Sequence, residues 1–149
     1  GAQRPAEEHY ERSLREAVVR HGLQDRVLFL GQRRDVPAIM AAADVHCHPN
    51  TGAEPFGLAL VEALRAGLPV VASALGGPAE IVTDACGRLV PAGDSEALAT
   101  TLSWLIADGQ ARSALTAAGT ERARELCNPG PRLAELHEAL EQLRLSVAA

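Results

Sequence analysis

Lysine is absent from all 149 residues; the 14 basic side chains are arginines, set against 19 carboxylates for a net charge of −5. Arg33 and Arg34 are the single adjacent basic pair. The chain therefore lacks the clustered positive charge that a phosphate backbone demands, and nucleic acid is not an expected partner. Any chemistry that depends on a lysine is incomplete within these residues. Aromatic residues make up only 3%, so packing falls to aliphatic side chains, which suit helices laid against a buried sheet. No apolar run approaches the roughly 18 residues of a membrane span, and the N-terminus lacks the charged-then-apolar pattern of a signal peptide. A cytoplasmic location is expected, with peripheral membrane contact of a full-length protein left open. Cys47, Cys86 and Cys127 are odd in number and far apart, which excludes a disulfide framework and a zinc ribbon; reduced, mostly packed thiols are expected. His46 and His48 would share one face of a strand with Cys47 on the other. No further ligand accompanies them, so no metal site is expected. A G-x-G-x-x-G after a strand is also missing, which leaves a dehydrogenase-type dinucleotide site unsupported.

Hydrophobic residues are 47% of the chain, enough for one domain's core, and they fall into short runs that alternate with helical periodicity. Residues 6–21 place Tyr10, Leu14, Ala17 and Val18 at helical spacing, with Gly22 as the stop. The run "RVLFLG" at 26–31 predicts a strand buried on both faces. A helix over 35–43, a strand over 44–49, a helix over 57–66 and a strand over 69–73 follow. A short helix from Pro78 and a strand over 87–90 come next, then helices over 95–107, 110–126 and 131–145. Asp94 or Ser95 is the expected N-cap of the first of these three. Leu133, Leu136, Leu140 and Leu143 form one stripe of the last. The expected fold class is α/β, a Rossmann-like parallel sheet flanked by helices. Ligands of such sheets gather at the carboxyl ends of the strands, here the loops Gly31–Arg34, Pro49–Phe56 and Ser73–Pro78.

The second of these loops runs into "GAEPFGLALVEALRAGLPVVASALGG", in which Glu54 and Glu62 interrupt an otherwise apolar segment. Glu54 ahead of a helix reads most simply as a capping charge, worth about 0.3–1 kcal/mol. Glu62 with Arg65 three positions on reads as a surface ion pair of about 0.2–0.5 kcal/mol. Against this, Leu58, Ala59, Leu60, Val61, Ala63, Leu64 and Ala66 make the helix apolar nearly all round, which predicts burial and leaves Glu62 in need of a partner. A carboxylate accepting two parallel hydrogen bonds fits a ribose diol. Eight residues of helix separate the two acids by about 80° and about 12 Å, too far for a catalytic dyad but suited to the two ends of an extended ligand. Between them, N–H groups at Phe56, Gly57 and Leu58 open the helix toward an anion, and Gly57 lets the backbone approach closely. A nucleoside diphosphate sugar presents its groups in that order.

"EPFGLALVE" resembles the E-x7-E motif of retaining GT-B glycosyltransferases of family 4. "RVLFLGQRRDVPAIMAAADVHCHPN" and "EALRAGLPVVASALGGPAEIV" are similar to the segments that flank it in that family. The resemblance runs from about residue 1 to about residue 128 and implies the C-terminal, donor-binding half of such an enzyme. It implies roles for Glu54 at the donor sugar's hydroxyls and catalytic centre, for the backbone of Phe56, Gly57 and Leu58 at the sugar and diphosphate, and for Glu62 at the ribose. It further implies Thr51 near the phosphates and Gly31, Gln32 and Arg33 near the base, with Glu80 in a structural or supporting place. Asn50 stands where serine is commoner. The implied donor is a UDP-, GDP- or ADP-linked sugar, with no cofactor and no metal. The implied partial domain, 1–149 with C-terminal helices 95–145, lacks the family's first strands, its Arg-x4-Lys diphosphate clamp and the N-terminal acceptor domain. Weak donor binding without turnover, and a homodimer through exposed strand edges, follow as expectations. A non-catalytic nucleotide- or partner-binding module and another GT-B enzyme, such as a sugar-nucleotide epimerase or a phosphorylase, remain alternatives.

Overall fold

A computed structural model describes residues 5–147 of the chain. Backbone contacts divide it into two compact units, Gly1–Arg34 and Asp35–Ala149. The first holds helix α1 (Pro5–Arg20) and the segment 26–31, which follows a turn at Leu23–Arg26. The second carries, in order, α2 (Val36–Ala41), β1 (His46–His48), α3 (Leu58–Arg65), β2 (Val70–Ser73), α4 (Pro78–Ile81) and β3 (Gly87–Val90). Helices α5 (Ser95–Ala107), α6 (Gly109–Leu126) and α7 (Pro129–Val147) complete it.

The three strands form a parallel sheet in the order β1-β2-β3, so the α/β class expected from the alternation of elements is the observed one. Strand β2 is central and wholly buried, because each of its faces meets a different helical layer. Alternate residues of a strand point oppositely. Val70 and Ala72 accordingly join Leu60, Leu64, Ile81 and Cys86 on the α3 side. Val71 joins Val90, Leu105 and Leu115 on the other, where Trp104 packs as a core residue with the Arg88 guanidinium over its ring at 4.8 Å. Helix α6 reaches α3 through Gly119, where an added Cβ would stand 2.9 Å from Leu64 Cδ2. Asp94 caps α5 by accepting a hydrogen bond from the Ala97 N–H at 2.9 Å, and Asp108 does the same for α6 at Ala111.

Two expectations fail here. The segment 26–31 is not a strand: it pairs with no strand among the described residues, and Leu28 is 80% exposed. A run of β-branched and leucine side chains states that burial would be favourable, but a ladder also requires a neighbour to take up its N–H and C=O groups. Within the N-terminal unit Phe29 lies under the Arg15 guanidinium of α1, 4.3 Å from the centroid. The cysteines are free as expected, but Cys47 and Cys127 are exposed and only Cys86 is packed. Cys47 falls on the outward face of the edge strand β1, and Cys127 just follows the last residue of α6. The leucine stripe of α7 is likewise exposed. Among the described residues no helix is long and apolar enough to cross a membrane.

The two faces of α3 make a direct test. Leu64, fully buried, should cost about 2–5 kcal/mol when replaced by alanine. Leu58→Ala, on the exposed face of the same helix, should stay within about 0.5 kcal/mol. Urea unfolding of both variants measures the difference.

Candidate functional site

Two loops that leave the carboxyl ends of β1 and β2 meet in front of α3. Glu54 bridges Gly76 in parallel fashion, and the Gly77 N–H donates to the Glu54 carbonyl at 2.7 Å. The backbones are too close for any side chain between them. A Cβ on Gly76 would sit against the Glu54 carbonyl oxygen, and one on Gly77 would overlap the Phe56 carbonyl. The double glycine of "ALGGPAE" is thus a contact surface for the Glu54 loop, a role that the sequence reading, which took this loop only as a place where ligands gather, missed.

Glu54 is half-buried, and its Oε1 accepts the Gly57 N–H at 3.1 Å. The carboxylate therefore supplies the capping charge at the amino end of α3, where Gly57, at φ +87°, turns the chain into the helix. The N–H of Gly57 is not an open anion donor, as the sequence suggested, because Glu54 already fills it. The N–H groups of Phe56 and Leu58 meet no acceptor among the described residues, so these two can still receive an anion. Phe56 holds an exposed ring beside them.

Glu62 departs from its expected setting. Helix α3 buries Leu60, Val61, Ala63 and Leu64 on one arc, while Leu58, Glu62, Arg65 and Ala66 face outward. An apolar composition all round did not mean burial all round, because alanines and a leucine are tolerated on the open side. Glu62 instead lines a groove of about 500 Å³ with Val36, Pro37 and Met40 of α2 and with Arg65. Among the described residues it forms no ion pair with Arg65, so the simple surface-pair reading fails as well. Its carboxylate is open to a ligand lying in the groove.

The fold therefore brings Glu54, Phe56, Gly57 and Leu58 together at one helix end, places exposed Thr51 in the loop that leads there, and sets Glu62 on the second turn of the same helix. Gly31, Gln32 and Arg33 are exposed and belong to the N-terminal unit. Glu80 lies in the first turn of α4, exposed.

The histidines of β1 stack with ring centroids 6.0 Å apart, and His48 Nε2 lies 2.9 Å from Asn50 Nδ2. His46 Nε2 is buried without a hydrogen-bond partner. Burial, and then the neighbouring His48, push the His46 pKa below the ordinary value of 6.5. No group of three or more potential metal ligands occurs among the described residues.

Two measurements probe this geometry. Gly77→Ala should separate the loops, lower stability by about 1–3 kcal/mol and shift the amide resonances of residues 54–57. Gly52→Ala should be silent, since a Cβ there meets nothing within 4 Å. For His46 the folded state resists a proton that the unfolded state accepts near 6.5. Its contribution is fully present above that pH and is lost as the pH falls below it. Denaturant unfolding at about pH 7 and about pH 5 should therefore show a smaller acid loss in His46→Asn than in the parent chain.

Residues 1–122 match the family described as "Glycosyl transferases group 1". The chain is 48% identical over 106 residues to the phosphatidyl-myo-inositol mannosyltransferase of Mycobacterium leprae, an alignment that takes in 69% of this chain and 28% of that protein. Its fold superposes on Anabaena Alr3699/HepE, solved in complex with UDP, with a TM-score of 0.85 and 34% identity, over 93% of this chain and 38% of that one. It also superposes on the C-terminal domain of a glycosyl transferase group 1 family protein, LpcC, from Francisella tularensis, with a TM-score of 0.71 and 26% identity, over 82% and 64% of the two chains. The chain thus spans less than a third of the mannosyltransferase it matches. The family match over most of its length, and the α/β architecture it shares with these proteins, make the chain a member of the glycosyl transferases group 1 family.

Proposed function

We propose that the chain is the donor-binding part of a retaining, family 4 glycosyltransferase of GT-B type, which moves a sugar from a nucleoside diphosphate to an acceptor hydroxyl. The observation that carries this reading is the amino end of α3. There a carboxylate ahead of the helix, two unpaired backbone N–H groups at its mouth and a second carboxylate in its second turn follow one another; Glu54 stands outside α3, so the eight-residue helical spacing expected between the two acids does not hold. The structural relatives at 34–35% identity that were solved with UDP and with UDP-glucose support a sugar nucleotide as the ligand.

In this reading the sugar lies against Glu54, whose Oε1 is engaged by Gly57 while the other oxygen is left for sugar hydroxyls. The Phe56 and Leu58 N–H groups face the diphosphate, whose leaving charge is further offset by the positive end of α3. Thr51 stands near the phosphates. Glu62 accepts the ribose diol from the groove beside α2. The bond broken joins the anomeric carbon to the diphosphate oxygen, through an oxocarbenium-like transition state. The two acids bind and orient the donor and do not act as the acid and nucleophile of a hydrolase. With no lysine available, the balance of the diphosphate charge is met by side chains outside these residues, and so is acceptor recognition. The isolated chain therefore binds donor weakly and does not turn over.

NMR titration of the chain with UDP, GDP and ADP tests the assignment. Shifts should centre on residues 56–62, with one nucleotide favoured. Glu62→Ala should weaken that nucleotide about tenfold or more, the effect of losing a pair of charged hydrogen bonds. Unchanged affinity in this variant would remove the ribose role.

A further inference from the structure

Helix α4 is a single turn, too short to hold itself together, yet it starts at Gly77, the residue against which the Glu54 loop is zipped. What fixes α4 from the far side is Arg122 of α6. Its Nη2 donates to the Glu80 carbonyl at 2.8 Å and its Nε to the Ile81 carbonyl at 3.1 Å. These are carbonyls at the end of the helical turn, which α4 itself leaves unsatisfied. The fork geometry of a guanidinium suits two adjacent carbonyls, and the charge strengthens both bonds. The remaining arm pairs with Glu125 Oε2 at 3.3 Å, and the Arg122 side chain is 28% exposed. Helix α6 is itself held firmly against the site's other support. Gly119 packs on Leu64 of α3, and Thr116 Oγ1 donates to the Gly67 carbonyl at 2.8 Å, at the turn that follows α3.

We propose that Arg122 is a positioning residue for the donor sugar. By gripping the carbonyl end of α4 it fixes Gly76 and Gly77, and through them the backbone of Glu54 and Phe56. One helix thereby sets the distance between the sugar-binding loop and the body of α3. This rests on the donor-site reading above, with Glu54 at the sugar and Glu62 at the ribose. It distinguishes Arg122 from a general stabiliser: loss of the grip loosens the sugar end of the ligand and leaves the nucleoside end alone.

Amide hydrogen exchange and ligand titration on Arg122→Gln and Arg122→Lys test the proposal. In Arg122→Gln the Gly77 and Gly57 amides, which bond to the Glu54 carbonyl and carboxylate, should exchange about tenfold faster while the core amide of Val71 is unchanged. Affinity for UDP-glucose should fall about tenfold and that for UDP less than about twofold. Arg122→Lys, which keeps the charge but not the fork, should fall between the two. Unchanged Gly77 exchange, uniform acceleration across the chain, or equal loss of UDP and UDP-glucose overturns the proposal. If the unaltered chain binds none of UDP, GDP, ADP and UDP-glucose, the donor reading falls, and the exchange measurement by itself then decides whether Arg122 grips the loop.

Discussion

Contact between two backbones, with no side chain between them, organises this molecule's candidate site. The loops after β1 and β2 approach so closely at Glu54, Gly76 and Gly77 that a Cβ at either glycine would collide with a carbonyl. That approach is possible because β1 and β2 are neighbours in a parallel sheet, so that both loops leave on the same side. The zipped loops deliver the chain to Gly57 at a defined angle, and the helix that starts there carries the candidate ligand groups together with the largest share of the α3-side core. Architecture and site are therefore joined at one seam.

The electrostatics of that seam are lopsided. A carboxylate caps the positive end of α3, a second stands in its second turn, and the basic side chain that shares the groove with it is Arg65. Under the proposed function, sugar and ribose hydroxyl groups meet the acids at the site's two ends. Unpaired N–H groups at Phe56 and Leu58 leave one place between them where an anion is welcome. Under the proposed function, the order of a ligand's groups matters at this site more than net charge, which is −5 for the whole chain.

Elsewhere the fold leaves apolar surface open. Segment 26–31 carries Val27, Leu28 and Leu30 outward, and α7 turns four leucines to the outside. Neither segment is short of hydrophobic residues; each is short of something to bury them against. The contrast with β2, of similar composition and wholly buried, shows that composition sets the tendency and topology decides whether it is met.

Much of the fold could be read directly. The helices over 95–107 and 110–126, the strands around 44–49, 69–73 and 87–90, and the cap at Asp94 are local matters of periodicity, breakers and capping chemistry, and they stand where the spacing put them. The helix opening at Gly57, with an acid ahead of it, was equally legible, since glycine, proline and a carboxylate act within one turn. What the order of residues left open were properties of distant partners. Whether 26–31 would find a ladder, which arc of α3 would be covered, and whether Glu62 would be buried or face a groove each depend on what packs alongside. Arg122 is the clearest instance. It stands 41 and 42 residues from the carbonyls it holds, and nothing in its own helix marks it out. A local pattern encodes the energy of a turn or a cap, whereas the grip of one element on another exists only once tertiary packing has brought them together.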